Sequence, residues 1–84
     1  MVNFEEATEL VKNFKKKPAD SENLEFYGLY KQATVGDVNI DKPGMLDLKK
    51  KVMYEAWSSR KGLSKDAAKE AYVRAYEKYA PKYA

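Results

Sequence analysis

The chain has 84 residues and a mass of 9.6 kDa, which is enough for one small domain spanning residues 1–84. Sixteen basic and 13 acidic residues leave a formal charge of +3, and histidine and cysteine are both absent. Thiol nucleophiles, disulfides, zinc sites built on Cys or His, and imidazole acid–base catalysis are therefore excluded.

Asn3 followed by Glu6 reads as a capping box, each side chain serving an orphan amide of a first turn. Phe4, Ala7, Leu10, Val11 and Phe14 recur at helical spacing, Lys15, Lys16 and Lys17 suit a helix C-terminus, and Pro18 signals a stop. These residues predict a first helix over about 3–15. Asp20 is the expected cap of a second helix running to about 35. That segment carries two faces: Phe26, Leu29 and Ala33 on one, with Leu24, Tyr27, Lys31 and Thr34 on another and Tyr30 at the margin of the first. One apolar face serves a core; the second, mixing rings with a cation, suits a ligand site.

Gly36 ends the second helix, and residues 36–48 (GDVNIDKPGMLDL) show turn chemistry without a helical or strand period. So long a loop is uncommon in a small domain and is more often functional than idle. A third helix is predicted over about 49–61, with Met53, Ala56, Trp57 and Arg60 sharing a face and Val52 beside them; Gly62 suits its C-terminal stop. Ser64 caps a fourth helix over about 64–80, where Ala68, Ala71, Tyr72, Ala75, Tyr76 and Tyr79 form a stripe. Pro81 lies near its end. The result is an all-α chain of four helices with no strand and no repeat.

Size scaling puts the folded surface at roughly 5,100 Å² against about 13,900 Å² unfolded, so about 63% would be hidden. No apolar run approaches the ~20 residues of a membrane span, and the N-terminus lacks the apolar core of a signal peptide. Without a cysteine framework, a reducing cytoplasmic setting is expected. Charges of both signs are spread along the chain, which is not the profile of a nucleic-acid binder, yet a local basic pocket for a small anion remains open.

The tyrosine stripe reads first as core. Tyr27 and Lys31, four apart, meet on one helix face, where a phenol and an ammonium can jointly hold phosphate and Tyr30 can stack on a base; the plainer alternative is a solvated lysine beside a packed ring. The run Lys49-Lys50-Lys51 fans around its helix, so at most one or two of its ammonium groups face one ligand. There is no P-loop, no glycine-rich dinucleotide fingerprint, no metal-ligand cluster and no catalytic carboxylate pair.

The segment LEFYGLYKQATVGD (Leu24 to Asp37), with KPAD at Lys17 to Asp20, KPGMLDLK at Lys42 to Lys49 and EAWSSRKGLSKDAAKEAY at Glu55 to Tyr72, closely resembles the acyl-CoA-binding protein family. The resemblance covers nearly the whole chain without insertions. It implies an up-down-down-up four-helix bundle with a long crossover between helices two and three. It also implies a non-enzymatic protein that binds, buffers and carries medium- to long-chain fatty acyl-CoA esters, as a cytoplasmic monomer with no cofactor. In the family the residues matching Tyr27 and Lys31 hold the nucleotide phosphates, and the one matching Tyr30 lies beside the adenine. Those matching Lys12 and Lys49 add contacts around the nucleotide, and the one matching Tyr72 closes the site near the thioester. Leu24 would line the acyl groove. Transient contact with membranes or acyl-CoA-using enzymes is compatible with this role.

The chain departs from the family pattern at three places. Met53 stands where a lysine aimed at the 3′-phosphate is usual, Asn23 where a methionine is common, and Thr8 where a small alanine is common. Met53 is then expected to face the ligand as an apolar contact. Two other classes compete with this reading. One is a membrane-surface or partner-binding helical module built on the lysine clusters. The other is a thioester hydrolase, which would lack both histidine and cysteine.

Overall fold

The computed structural model describes residues 2–44 and 46–84, so Met45 of the predicted loop lies outside the described residues. Four helices form: α1 (Phe4–Lys12), α2 (Asp20–Thr34), α3 (Leu48–Ser58) and α4 (Lys65–Tyr83). There is no strand among the described residues. The helices pack in the spatial order α1, α4, α2, α3, because α4 touches both α1 and α2 while α2 alone touches α3. The Cα envelope is accordingly flat, 37 × 27 × 15 Å. The surface is 5746 Å², above the value expected from mass alone, because the long connection and the hollows between helices stay open.

The caps follow from local chemistry. The Asn3 side chain accepts from the Glu6 amide at 2.8 Å and Glu6 accepts from the Asn3 amide at 3.3 Å. Ser64 and Asp47 accept from Ala67 and Lys50 amides in the same way. At α2 the expected arrangement changes. Asp20 is the first helical residue rather than the cap, and Glu22 Oε1 takes the Ala19 amide at 3.0 Å. α1 stops at Lys12 rather than about residue 15, and Asn13 folds its side-chain amide back onto the Glu9 carbonyl. The Lys15 and Lys16 amides then turn to the carbonyl of Tyr83, at 2.8 and 3.2 Å. Those lysines leave the helix because α4 supplies a better acceptor than a continued turn.

The same contacts carry α4 through Pro81 to Tyr83, beyond the predicted end near 80. The Tyr83 hydroxyl donates to Glu22 Oε1, Lys82 Nζ pairs with Glu22 Oε2 at 3.2 Å, and the Tyr79 hydroxyl donates to Glu25 at 2.7 Å. Proline removes one backbone donor and crowds the preceding turn. Three side-chain bonds to α2 and two backbone bonds to the α1–α2 connection outweigh that cost. The Tyr79 phenol is pushed up to about 12, first by its bond to the Glu25 carboxylate and then by burial.

The core is Phe4 and Ala7 of α1, Phe26, Leu29 and Ala33 of α2, and Ala68, Tyr72, Ala75 and Tyr79 of α4. Helical spacing grouped these residues, but it also grouped Leu10, which is 39% exposed; the tyrosine stripe is structural over most of its length. Rings interlock edge-on: Phe4 against Tyr72 at 5.2 Å and Phe26 against Tyr79 at 5.7 Å between centroids. The alanines let α4 approach both neighbours closely.

Gly28 sets the other spacing. A Cβ at this position would lie 2.9 Å from the Ala56 carbonyl carbon, and closer still to its oxygen. No side chain fits there without pushing α3 away from α2. Gly28→Ala should lower stability by about 1–3 kcal/mol in urea unfolding. Gly44→Ala, where nothing lies within 4 Å, should stay within about 0.5 kcal/mol of the parent.

Glu22 yields a pH prediction. Its carboxyl is held below the ordinary 4.5, first by the Tyr83 hydroxyl and then by the Ala19 amide and Lys82, against the opposing effect of burial. A lowered folded value means stability that is present above pH 4.5 and is lost as pH falls through the folded value. Glu22→Gln should therefore be less stable than the parent at pH 7 and lose less on acidification, as read from urea midpoints across that range.

Candidate functional site

The two hollows that α2 borders share its outward face. The first, about 410 Å³, lies between α2 and α3 and is lined by Lys17, Asp20, Asn23, Leu24, Tyr27, Lys49, Val52 and Met53. The second, about 310 Å³, lies among α1, α2 and α4 and is lined by Thr8, Lys12, Asn23, Phe26, Tyr27, Tyr30 and Tyr72. Asn23 and Tyr27 line both, so the two form one continuous surface across α2.

Helix geometry explains the grouping. Leu24 and Tyr27 are three apart on α2, and Lys49, Val52 and Met53 occupy successive turns of α3, so both sets face the space that Gly28 narrows below. Leu24, Val52 and Met53 form an apolar floor, and Lys17 and Lys49 stand as cations at its edges with Asp20 as the single anion. Of the second hollow, Phe26 and Tyr72 are the most buried members, each 4% exposed, and the Tyr72 ring is set against Phe4 and Phe26. Burial, aided by the neighbouring Tyr30, pushes its phenol up to about 12, so at neutral pH it remains a hydrogen-bond donor. Tyr30 is 43% exposed and stacks on Phe4 at 6.0 Å, leaving its outer face free. Lys12 reaches Glu9 at 3.8 Å, a pair exposed on both sides and of little energetic weight.

The structure thus brings together Leu24, Tyr27, Lys49 and Met53 in one hollow, and Lys12, Tyr27, Tyr30 and Tyr72 in the other. Lys31 lines neither. Its ammonium sits over the Trp57 ring, 5.0 Å from the centroid. It belongs to none of the ion pairs formed among the described residues, which are Lys12–Glu9, Lys50–Asp47 and Lys82–Glu22.

Several residues that support the site carry little signal in the sequence. Trp57, buried, donates its indole N–H to the Gly36 carbonyl at 2.8 Å and so provides the platform under Lys31. Gln32, 1% exposed, gives both amide hydrogens away, to Asp37 at 2.8 Å and to the Leu63 carbonyl at 2.7 Å. Asp37 also takes the Gly62 amide at 2.9 Å, and these two donors hold its carboxyl below the ordinary value. The knot ties the start of the long connection to the α3–α4 turn, with Gly36 and Gly62 both at positive φ (101° and 96°). A polar glutamine inside a helical apolar period was the available signal. Lys17, Asp20 and Val52 carried no signal for the groove, because their positions depend on how α3 crosses α2.

A third hollow, about 520 Å³, lies between the N-terminal part of α1 and α4, over Val2, Phe4 and Val73, with Lys69, Arg74, Glu5, Glu70 and Glu77 around it. It contains none of the candidate site residues of the other two hollows. Among the described residues, no group of three or more acidic or imidazole or thiol side chains is arranged to hold a metal ion, and no helix is long and apolar enough to cross a membrane.

Comparison with known proteins bears on the family and the fold. Residues 1–76 match the family model described as "Acyl CoA binding protein". The acyl-CoA-binding protein of Dictyostelium discoideum is 51% identical over 84 residues, covering 100% of both chains. The acyl-CoA-binding protein homolog 1 of Caenorhabditis elegans is 48% identical over 82 residues, 98% of this chain and 95% of that one. Among solved structures, the crystal structure of Oryza sativa acyl-CoA-binding protein 2 superposes with a TM-score of 0.85 at 37% identity, over 89% of this chain and 83% of that one. The solution structure of the yeast protein gives 0.77 at 41% identity, over 95% and 93%.

Proposed function

The chain belongs to the acyl-CoA-binding protein family, and on that premise we propose that it binds medium- to long-chain fatty acyl-CoA esters one to one, buffers them and carries them in the cytoplasm. The observation that carries this reading is the α2–α3 hollow, an apolar floor of Leu24, Val52 and Met53 between the cations Lys17 and Lys49. Such a lining suits a molecule that is greasy along its length and anionic at its head. The whole chain acts as one domain in this role.

The acyl chain lies over Leu24 and Met53. Burying methylenes contributes about 0.8 kcal/mol each, so a sixteen-carbon chain supplies roughly 10 kcal/mol before ordering costs. The head brings phosphates and an adenine. Lys31, held over the Trp57 ring, and the Tyr27 hydroxyl take phosphate, with Lys12 and Lys49 adding charge around the nucleotide. Tyr30 offers its free face to the base. Tyr72, a neutral phenol at physiological pH, donates near the thioester. Head recognition separates an acyl-CoA from a free fatty acid, and chain burial separates it from free CoA. The ligand is held and released unchanged, with no covalent step and no cofactor.

Met53 places a thioether where the family usually has a lysine. It extends the apolar floor and leaves the 3′-phosphate with one cation fewer.

Two measurements test the reading. Calorimetry should find tight one-to-one binding of palmitoyl-CoA, much weaker binding of CoA and little of palmitate; equal affinity for palmitate and palmitoyl-CoA would refute head recognition. Met53→Lys should tighten palmitoyl-CoA binding about tenfold or more at low salt, the worth of one charge-assisted hydrogen bond. Unchanged or weaker binding would mean that position 53 does not approach the phosphate.

A further inference from the structure

Asn23 is the only carboxamide lining the two hollows beside α2, and it lines both. It stands four residues before Tyr27 and seven before Tyr30, so the three share one face of the helix. Asn23 and Tyr30 lie roughly 10 Å apart along the helix axis, and helical side chains lean toward the N-terminus, which brings the Tyr30 ring nearer to Asn23. The asparagine is half-buried. One of its amide hydrogens goes to the Pro18 carbonyl at 3.3 Å. The second hydrogen and the carbonyl oxygen Oδ1 take no partner among the described residues.

The Pro18 bond decides which way the amide faces. Turned over, Oδ1 would meet the Pro18 carbonyl, acceptor against acceptor. The hollow therefore holds one acceptor and one donor side by side on a planar group of fixed orientation. Its other polar groups are hydroxyls and an ammonium, which carry no such pair: the Thr8 hydroxyl donates to the Glu5 carbonyl at 2.7 Å, and Lys12 can only donate. An acceptor beside a donor matches the N6 amine and N7 of adenine.

Resting on the acyl-CoA reading above, we infer that Asn23 is a specificity-determining residue that reads the base. Oδ1 accepts from the N6 amine, and the free Nδ2 hydrogen donates to N7 of an adenine laid against Tyr30. Methionine, common at this position in the family, carries neither group. This chain therefore adds a test of base identity to its recognition of charge and acyl chain. A purine with a 6-oxo group in place of the amine brings a second acceptor against Oδ1. The amide cannot turn over to suit it without losing Pro18.

Calorimetry on the full chain tests this with two ligands, palmitoyl-CoA and the same thioester carrying hypoxanthine in place of adenine. The two bases have nearly the same size and differ in the group at position 6. The parent should bind the hypoxanthine thioester about tenfold more weakly. Asn23→Met and Asn23→Leu should each bind the two thioesters within about twofold of one another. Circular dichroism of both variants should match the parent, since the side chain gives up one long hydrogen bond at the surface of α2. A merely structural asparagine would leave the ratio of the two affinities unmoved by either substitution. Equal affinity of the parent for the two thioesters, or a tenfold preference kept by both variants, would overturn the assignment while leaving the acyl-CoA reading in place. A parent that binds neither thioester would overturn that reading and the assignment together.

Discussion

The site depends on how closely α2 can approach α3, and that is decided at Gly28. Because this residue has no side chain, the two helix backbones meet at the Ala56 carbonyl. The floor formed by Leu24 on one helix and Met53 on the other then spans a narrow hollow rather than a wide cleft. α2 is used on three sides at once: Phe26, Leu29 and Ala33 bury toward α4, Gly28 toward α3, and Leu24, Tyr27 and Tyr30 toward the two hollows.

Much of the fold was legible because it rests on local rules. The capping box at Asn3, the Ser64 cap, the alanine–tyrosine period of α4 and the turn chemistry after Gly36 each follow from side chains within a few residues. What was not legible depends on partners far along the chain. The pattern put the end of α4 near 80, beside Pro81, yet the helix continues because Glu22, some sixty positions earlier, holds Tyr83 and Lys82. α1 was expected to run through Lys15, yet it stops at Lys12 because the amides of Lys15 and Lys16 find Tyr83 instead. No local propensity encodes either exchange.

The candidate site divides in the same way. Tyr27, Tyr30, Leu24 and Met53 could be placed from helix faces, and the structure collects them on two adjoining hollows. Lys31 sits apart from both, and its orientation becomes intelligible only through Trp57, whose own position is fixed by a bond to the Gly36 carbonyl. Gln32 and Asp37, which lie in the recognisable stretch beside Tyr27, Tyr30 and Lys31, are occupied in tying the long connection to the α3–α4 turn. That stretch therefore mixes two kinds of residue, those that line the hollows and those that hold the scaffold beneath them.

The bonds from Lys15 and Lys16 to the Tyr83 carbonyl also bear on the order of assembly. The connection they fasten carries Lys17 to the edge of the α2–α3 hollow. Its acceptor lies in the last turn of α4, so α1, α2 and α3 can pack while that edge is still untied. The cationic border that Lys17 gives the hollow is therefore fastened from the far end of the fold, and any loosening of that last turn loosens the border with it.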